Sequence, residues 1–378
     1  MKNFIVAPDS FKGTMTASEV CSVIETSILK YIPDALVRKI PMADGGEGMV
    51  DAYLNICGGK RVRATVSGPF GSPMEVYYGL LPNNTAVIEM ASCAGLPLVE
   101  ENKNPMLTTT YGVGELILHA ANMGVKNIIL GLGGSATNDC GLGMAAALGY
   151  RFLNQDKMPV KHIGGSMLDV RYIEQPSHLP AVTITAACDV DNPLYGPTGA
   201  AYVFGKQKGA NATMLASLDE GLKNMANIIE RDLGVTIRDM PGAGAAGGLG
   251  AGVVVFSGGS LSPGIELLLD AADFDAMLKD ADLVFTGEGR IDGQSAHGKV
   301  PVGVSRRAKK HHVPCIALCG SIGEGTDVLY DYGINALFSA VRGVTDLEEI
   351  KKTCHEDMRL LAENVIRTLL ITPQCILS

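Results

Sequence analysis

A chain of 378 residues, 47% of them hydrophobic, is longer than one core usually grows, so two domains of roughly 150–200 residues are expected and disorder is excluded. Forty-six glycines, no Trp and only 5% aromatic residues point to an α/β fold whose loops bring backbone close to ligands. The net charge of −9, spread without long acidic runs, argues against binding a nucleic-acid backbone, and no apolar run of about 18 residues suggests a membrane span. The nine cysteines, an odd number with no C-x-x-C pair, read as reduced core thiols. Pro8 and Asp9 interrupt the N-terminal apolar stretch too soon for a signal peptide, so a cytoplasmic protein is expected.

In chain order, a strand over 4–7, a helix over 18–31, a strand over 36–41 and a helix over 47–56 give a βαβα start, hence a parallel sheet. Residues 61–66 and 74–80 are β-rich and joined across Gly68-Pro69-Phe70-Gly71-Ser72-Pro73, an antiparallel hairpin that opens a second domain. A helix over 111–123, a strand over 127–132, a helix over 141–152, a strand over 182–188 and a long helix over 214–233 continue it. The chain crosses back near 270–282. Strands over 283–286, 315–319 and 336–340 then alternate with helices over 300–310, 326–332 and 347–370. Five strands in two distant groups can make one doubly wound sheet. The expected organisation is residues 1–62 with 275–378 as one domain, 63–274 as an inserted α/β domain, and the ligand site in the cleft between them.

Three glycine-rich stretches are candidates for anion binding. Gly293-x4-Gly298-Lys299, after the strand over 283–286, nearly matches a P-loop, but Val300 stands where Ser or Thr would hold Mg²⁺. Its backbone N–H groups still suit an anion, although a solvated loop reads equally simply. Gly242-Ala243-Gly244-Ala245-Ala246-Gly247 matches the dinucleotide fingerprint, yet Met240-Pro241 precedes it in place of a buried strand, and a tightly packed helix start fits better. Gly131-Leu132-Gly133-Gly134-Ser135-Ala136-Thr137-Asn138-Asp139 combines glycines with hydroxyl and amide groups, as a phosphate or nucleoside pocket needs; an ordinary helix cap is the plainer alternative.

Carboxylates recur at strand ends, in Asp44-Gly45-Gly46-Glu47 and in Asp189-Val190-Asp191-Asn192-Pro193, where they can hold Mg²⁺ or take a proton from an alcohol. An Asx-turn also explains the second group. Lys12, between Ser10 and Gly13 just past the first strand, is placed to clamp a carboxylate or phosphoryl oxygens, and Gly205-Lys206-Gln207-Lys208-Gly209 adds two cations.

Six ordered blocks carry a resemblance to a known family: Ala7-Pro8-Asp9-Ser10-Phe11-Lys12-Gly13, Met42-Ala43-Asp44-Gly45-Gly46-Glu47-Gly48, Gly133 to Asp139, Cys188 to Leu194, Pro241 to Gly250, and Thr286 to Lys299. Together they resemble the bacterial glycerate kinase family over essentially the whole chain. Cys140, where that family usually has Gly, and Lys206, where Pro is frequent, depart from the pattern. The resemblance implies a flavodoxin-like parallel-sheet domain with an inserted, restriction-endonuclease-like α/β domain. It further implies ATP-dependent phosphorylation of D-glycerate, with 2-phosphoglycerate the favoured product.

On that resemblance, Asp189 orients the glycerate hydroxyl as base, Lys12 steadies the transferring group, and Ser10 with Arg290 holds the carboxylate. Asp44, Glu288 and Gln294 are further substrate-side candidates. Mg²⁺ is shared by the nucleotide phosphates and a carboxylate, with Asp44, Asp191 and Glu288 as candidates and Asp191 foremost. ATP lies along Gly133, Gly134, Ser135 and Thr137, near Gly247 and Gly248. Two rival readings remain: a nicotinamide-dependent oxidoreductase resting on Gly242 to Gly247, and a non-catalytic small-acid-binding protein.

Overall fold

Phe4, Ile5 and Val6 are all buried, so the first strand hides both of its faces, as a central strand of a helix-covered parallel sheet must. The computed structural model describes residues 2–42, 48–296, 298–343 and 345–371. By internal contacts it divides into two compact units, Met1–Asp44 with Ile265–Ser378, and Gly45–Gly264.

The first unit begins with β1 (Asn3–Val6) and β2 (Leu36–Lys39). The second contains β3 (Lys60–Ser67), β4 (Pro73–Leu80), β5 (Thr85–Glu89), β6 (Asn127–Gly131), β7 (Arg151–Leu153), β8 (Tyr172–Glu174), β9 (Thr183–Ala187) and β10 (Ser260–Ser262). The chain then returns to the first unit with β11 (Leu283–Thr286), β12 (Arg290–Ile291), β13 (Cys315–Cys319), β14 (Ser321–Ile322) and β15 (Ile334–Ser339).

In the first unit the order β15-β13-β11-β1-β2 is parallel throughout. Counted within the unit this is 2-1-3-4-5, the flavodoxin-like order, and it reverses between β1 and β11. Helices cover both faces. Ile316 and Leu318 join one apolar cluster with Val20, Ile24 and Ile28 of the helix Ala17–Tyr31 and Met358 of the helix Leu347–Leu369. Ala317 and Cys319, the alternate residues, join another with Val302 of the helix Val300–Lys310. The helix Ala17–Tyr31 starts at a capping box, in which Thr16 and Glu19 satisfy each other's backbone N–H groups.

In the second unit the order is β10-β9-β6-β5-β4-β3. The β3–β4 hairpin is antiparallel in full register from Lys60↔Leu80 to Ser67↔Pro73, while β5, β6, β9 and β10 run parallel. The helix expected over 141–152 ends at Ala147 instead. Gly149, at φ +102, closes it: the Gly149 N–H bonds the Ala146 carbonyl and the Tyr150 N–H the Ala145 carbonyl, a Schellman motif that turns the chain into β7. β5, which no sequence expectation covered, is a buried strand between β4 and β6.

Charge fastens one corner of the first unit. The Arg307 guanidinium, 16% exposed, bonds Glu266 and Asp270 at 2.6 Å each as well as Asp275, tying the helices Gly264–Ala271 and Phe274–Leu278 to Val300–Lys310. His311 Nε2 meets the other Asp275 oxygen at 2.6 Å. Replacing Arg307 by Met leaves three carboxylates facing one another, so Arg307→Met should lower the unfolding free energy by about 2 kcal/mol, read as a lower urea midpoint.

Candidate active site

β1 and β11 lie side by side although their residues are far apart in the chain, and their pairing continues past the strand ends. The Ala7 N–H bonds the Phe285 carbonyl and the Asp9 N–H the Gly287 carbonyl, both at 2.8 Å, while Thr286 Oγ1 donates to the Ala7 carbonyl. The next loop joins the same stack. A β-carbon at Gly287 would lie 1.8 Å from the Leu318 carbonyl oxygen, so only glycine lets these backbones approach so closely.

Where these loops diverge they enclose a cavity of about 420 Å³ at the carboxyl ends of the strands, beside the reversal in strand order. Lys12, Arg290 and Lys299 bring three cations to its lining, Asp9, Glu288 and Asp357 bring carboxylates, and Ser10 adds a hydroxyl. Phe11, Met15 and Met358 supply apolar wall. The Asp9 carboxylate accepts the Ser10 N–H at 2.6 Å, and Asp9 is itself buried.

Glu288 is 7% exposed. Its Oε1 accepts the Ser295 hydroxyl at 2.5 Å, and Lys299 Nζ stands 3.4 Å from its Oε2. Burial pushes the Glu288 carboxyl above its ordinary range, against the pull of Ser295 and Lys299. Arg290, with its side chain 71% exposed, faces Asp292 at 3.7 Å. Three cations around so small a space suit an anion of a few heavy atoms.

Of the residues singled out from sequence, Ser10, Lys12, Glu288 and Arg290 share this cavity. Gln294 is exposed outside its lining, with its backbone N–H on Asp292 Oδ1, and Asp44 falls outside the described residues. Lys299 is the addition. Its only sequence signal was its place at the end of the P-loop-like run, and it stands at the N-cap position of the helix Val300–Lys310 with no side-chain capping bond.

The second unit builds a different polar centre on the loop after β6. Asp139 is wholly buried and accepts the Thr110 N–H and hydroxyl at 2.8 Å each, with the Gly141 and Gly143 N–H groups at 3.1 and 3.2 Å. Burial raises its carboxyl pKa while these four donors oppose the rise. Lys208, 2% exposed, donates to Ser135 Oγ and to the Thr137 carbonyl at 2.7 Å each. Burial lowers its ammonium pKa to about 7, the Asp139 charge acting the other way. Thr137 Oγ1 and both polar atoms of the Asn138 side chain are buried with no hydrogen-bond partner among the described residues.

Gly247 and Gly248 form a left-handed kink, φ +69 and +91, inside the helix Ala245–Ser257, and this kink packs on the same loop. The Cys140 N–H bonds the Gly247 carbonyl, and a β-carbon at Gly247 would meet the Thr137 carbonyl oxygen at 2.1 Å. No strand leads into Gly242 among the described residues, so the glycine run lacks the strand–turn–helix setting of a dinucleotide fold. Asp189 and Asp191 are exposed on the loop after β9, the neighbour of β6, and Asp189 Oδ1 accepts the Gly264 N–H at 2.9 Å.

A family model described as "Glycerate kinase family" matches residues 4–370. The chain belongs to the glycerate kinase family. It is 46% identical over 370 residues to the glycerate kinase of Halalkalibacterium halodurans, covering 97% of each chain. It is 42% identical over 372 residues to the glycerate 2-kinase of Escherichia coli K12, covering 97% of this chain and 98% of the relative. Among solved structures, a candidate glycerate kinase 2 from Salmonella typhimurium LT2 superposes with a TM-score of 0.86 at 43% identity, over 97% of this chain and 98% of that one.

Both departures from the glycerate kinase pattern now have a setting. Cys140, fully buried, takes φ +57 itself, a left-handed conformation that costs a side chain about 1–2 kcal/mol and explains why glycine is usual there. Lys206 is exposed in a short 3-10 turn and leaves the buried Lys208 undisturbed. Among the described residues no helix is long and apolar enough to cross a membrane.

Two substitutions separate packing from chemistry in these centres. Gly247→Ala drives a β-carbon into the Thr137 carbonyl and should lower stability by about 2 kcal/mol, seen in thermal or urea unfolding. Glu288→Gln should do the opposite. A carboxyl whose folded pKa is raised lowers stability once pH passes its unfolded value, and does so in full above its folded value. The Gln variant should therefore equal or exceed the parent in urea midpoint at pH 7, with the difference shrinking as pH falls into the ordinary carboxylate range.

Proposed function

We propose that this chain transfers the γ-phosphoryl group of ATP to D-glycerate, giving 2-phosphoglycerate and ADP. The observation that carries the reading is the cavity beside the β1–β11 pairing, which sets Lys12, Arg290 and Ser10 around a space suited to a small hydroxy acid. Arg290 and Ser10 hold the glycerate carboxylate, the guanidinium offering paired donors to its two oxygens. Lys12, next to them on the β1 loop, neutralises charge on the transferring phosphoryl group. Phosphoryl transfer asks little covalent chemistry of a protein and much positioning, so rigid loops with fixed cations are the main requirement.

The nucleotide lies along Gly133, Gly134, Ser135 and Thr137 with Gly247 and Gly248 behind them, where glycines allow close backbone approach and hydroxyls reach phosphate oxygens. Asp189 orients the acceptor hydroxyl and takes its proton. No cluster of three or more His, Cys, Asp or Glu side chains stands ready for a metal among the described residues. That fits Mg²⁺ in a kinase, which binds through one or two carboxylates plus the phosphates, and the exposed Asp191 is such a carboxylate. Held there, Mg²⁺ would supply neutralising charge to the nucleotide phosphates. Preference for the 2-hydroxyl rests on the relative named glycerate 2-kinase.

A coupled assay should show ADP release that needs both D-glycerate and Mg²⁺, and phosphorus NMR should show 2-phosphoglycerate. Lys12→Ala and Asp189→Asn should each lower kcat by about 100-fold or more. Raised KM with kcat near the parent's would remove both residues from the transition state.

A further inference from the structure

Lys208 is the only buried Lys or Arg among the described residues. An ammonium leaves water at a large penalty unless acceptors replace its hydration, and here two of its three N–H groups find neutral acceptors, Ser135 Oγ and the Thr137 carbonyl. Each contact shapes the loop above. Because Ser135 Oγ accepts a hydrogen bond from Lys208, its own O–H stays available as a donor. The Thr137 carbonyl oxygen that Lys208 holds also lies so close to Gly247 that a β-carbon there would meet it at 2.1 Å. Beside it, the Thr137 hydroxyl and the Asn138 amide are buried with hydrogen-bonding capacity unspent, an arrangement native proteins rarely keep without a ligand or water to meet it.

We propose that Lys208 is a positioning residue for the nucleotide: from beneath the loop 133–138 it holds Ser135 and Thr137 in the shape that accepts a phosphate, and keeps a positive charge under that phosphate. The inference rests on the placement of ATP along this loop.

Stability is a poor explanation of the same residue. A lysine whose folded pKa is lowered weakens the fold in full at pH values below about 7, and that penalty fades only as pH rises toward the ordinary lysine range. Asp139 is the charged group acting on it, and its carboxylate is already taken by Thr110, Gly141 and Gly143. A methionine would fill similar volume without the charge, so the ammonium is retained against the preference of the fold.

The test is Lys208→Met, assayed for steady-state kinetics with each substrate and for ADP binding by calorimetry. The variant should melt cooperatively, with the ATP KM and the ADP Kd raised at least about tenfold and the glycerate KM within about twofold of the parent. ADP affinity unchanged in Lys208→Met overturns the proposal if Ser135→Ala or Thr137→Ala weakens ADP. If neither of those weakens ADP, the nucleotide is not on this loop, and the placement itself fails. Should Lys208→Met not fold, Lys208→Gln, which keeps a donor without the charge, replaces it; failure of both to fold assigns Lys208 to stability and overturns the proposal.

Discussion

The pairing of β1 with β11 is the constraint on which the first unit depends. Phe4 meets Leu283 and Val6 meets Phe285, so the two ends of the chain must find each other before this sheet can exist. Long-range parallel pairing is expensive in chain entropy, and it is offset here by strands buried on both faces. The return is positional. With the sheet order reversing between these two strands, their following loops leave in opposite directions and open a crevice, and Lys12 and Glu288 reach it from strands 279 residues apart, judged by the bond from Thr286 to Ala7.

The second unit solves a related problem with buried charge rather than an open crevice. Asp139 gathers four donors and Lys208 two acceptors, so the loop after β6 is fixed from inside the protein. Such networks hold shape well only when nearly every member is satisfied. Thr137 Oγ1 and the Asn138 amide, buried without a partner among the described residues, therefore stand out beside the well-bonded Asp139. The left-handed turns at Cys140, Gly247 and Gly248 let the neighbouring helix press its backbone on this loop, at a cost to Cys140 in conformational strain.

Much of this was legible in the sequence. Periodicity placed β11, β13 and the helix Val300–Lys310 at their observed bounds; the two strands are apolar runs that stop at Gly287 and Gly320. The hairpin of β3 and β4 followed from its turn residues. β5 escaped because a five-residue buried run after Asn83-Asn84 carries no alternation to mark it as a strand. The helix end at Ala147 escaped because a Schellman motif depends on one glycine among many. For the sites, Lys12 and Arg290 announced themselves through loop context, whereas Lys208 read as one of two ordinary cations between glycines. Only the third dimension separates it from the exposed Lys206 two residues away.

That separation also explains why the two centres suit different ligands. Arg290 stands largely in solvent, where screening leaves a single ion pair little net strength, so glycerate cannot be held by charge alone. On the proposed reading its seat comes from several donors acting together within the cavity, with Ser10, whose N–H bonds Asp9, as one of them. Lys208 acts where water is excluded and a charge is felt over a longer range, which suits the concentrated charge of a nucleotide's phosphates. On the proposed reading, a small acid recognised by geometry and a nucleotide recognised over buried charge are two consequences of one difference, the depth at which each unit places its cations.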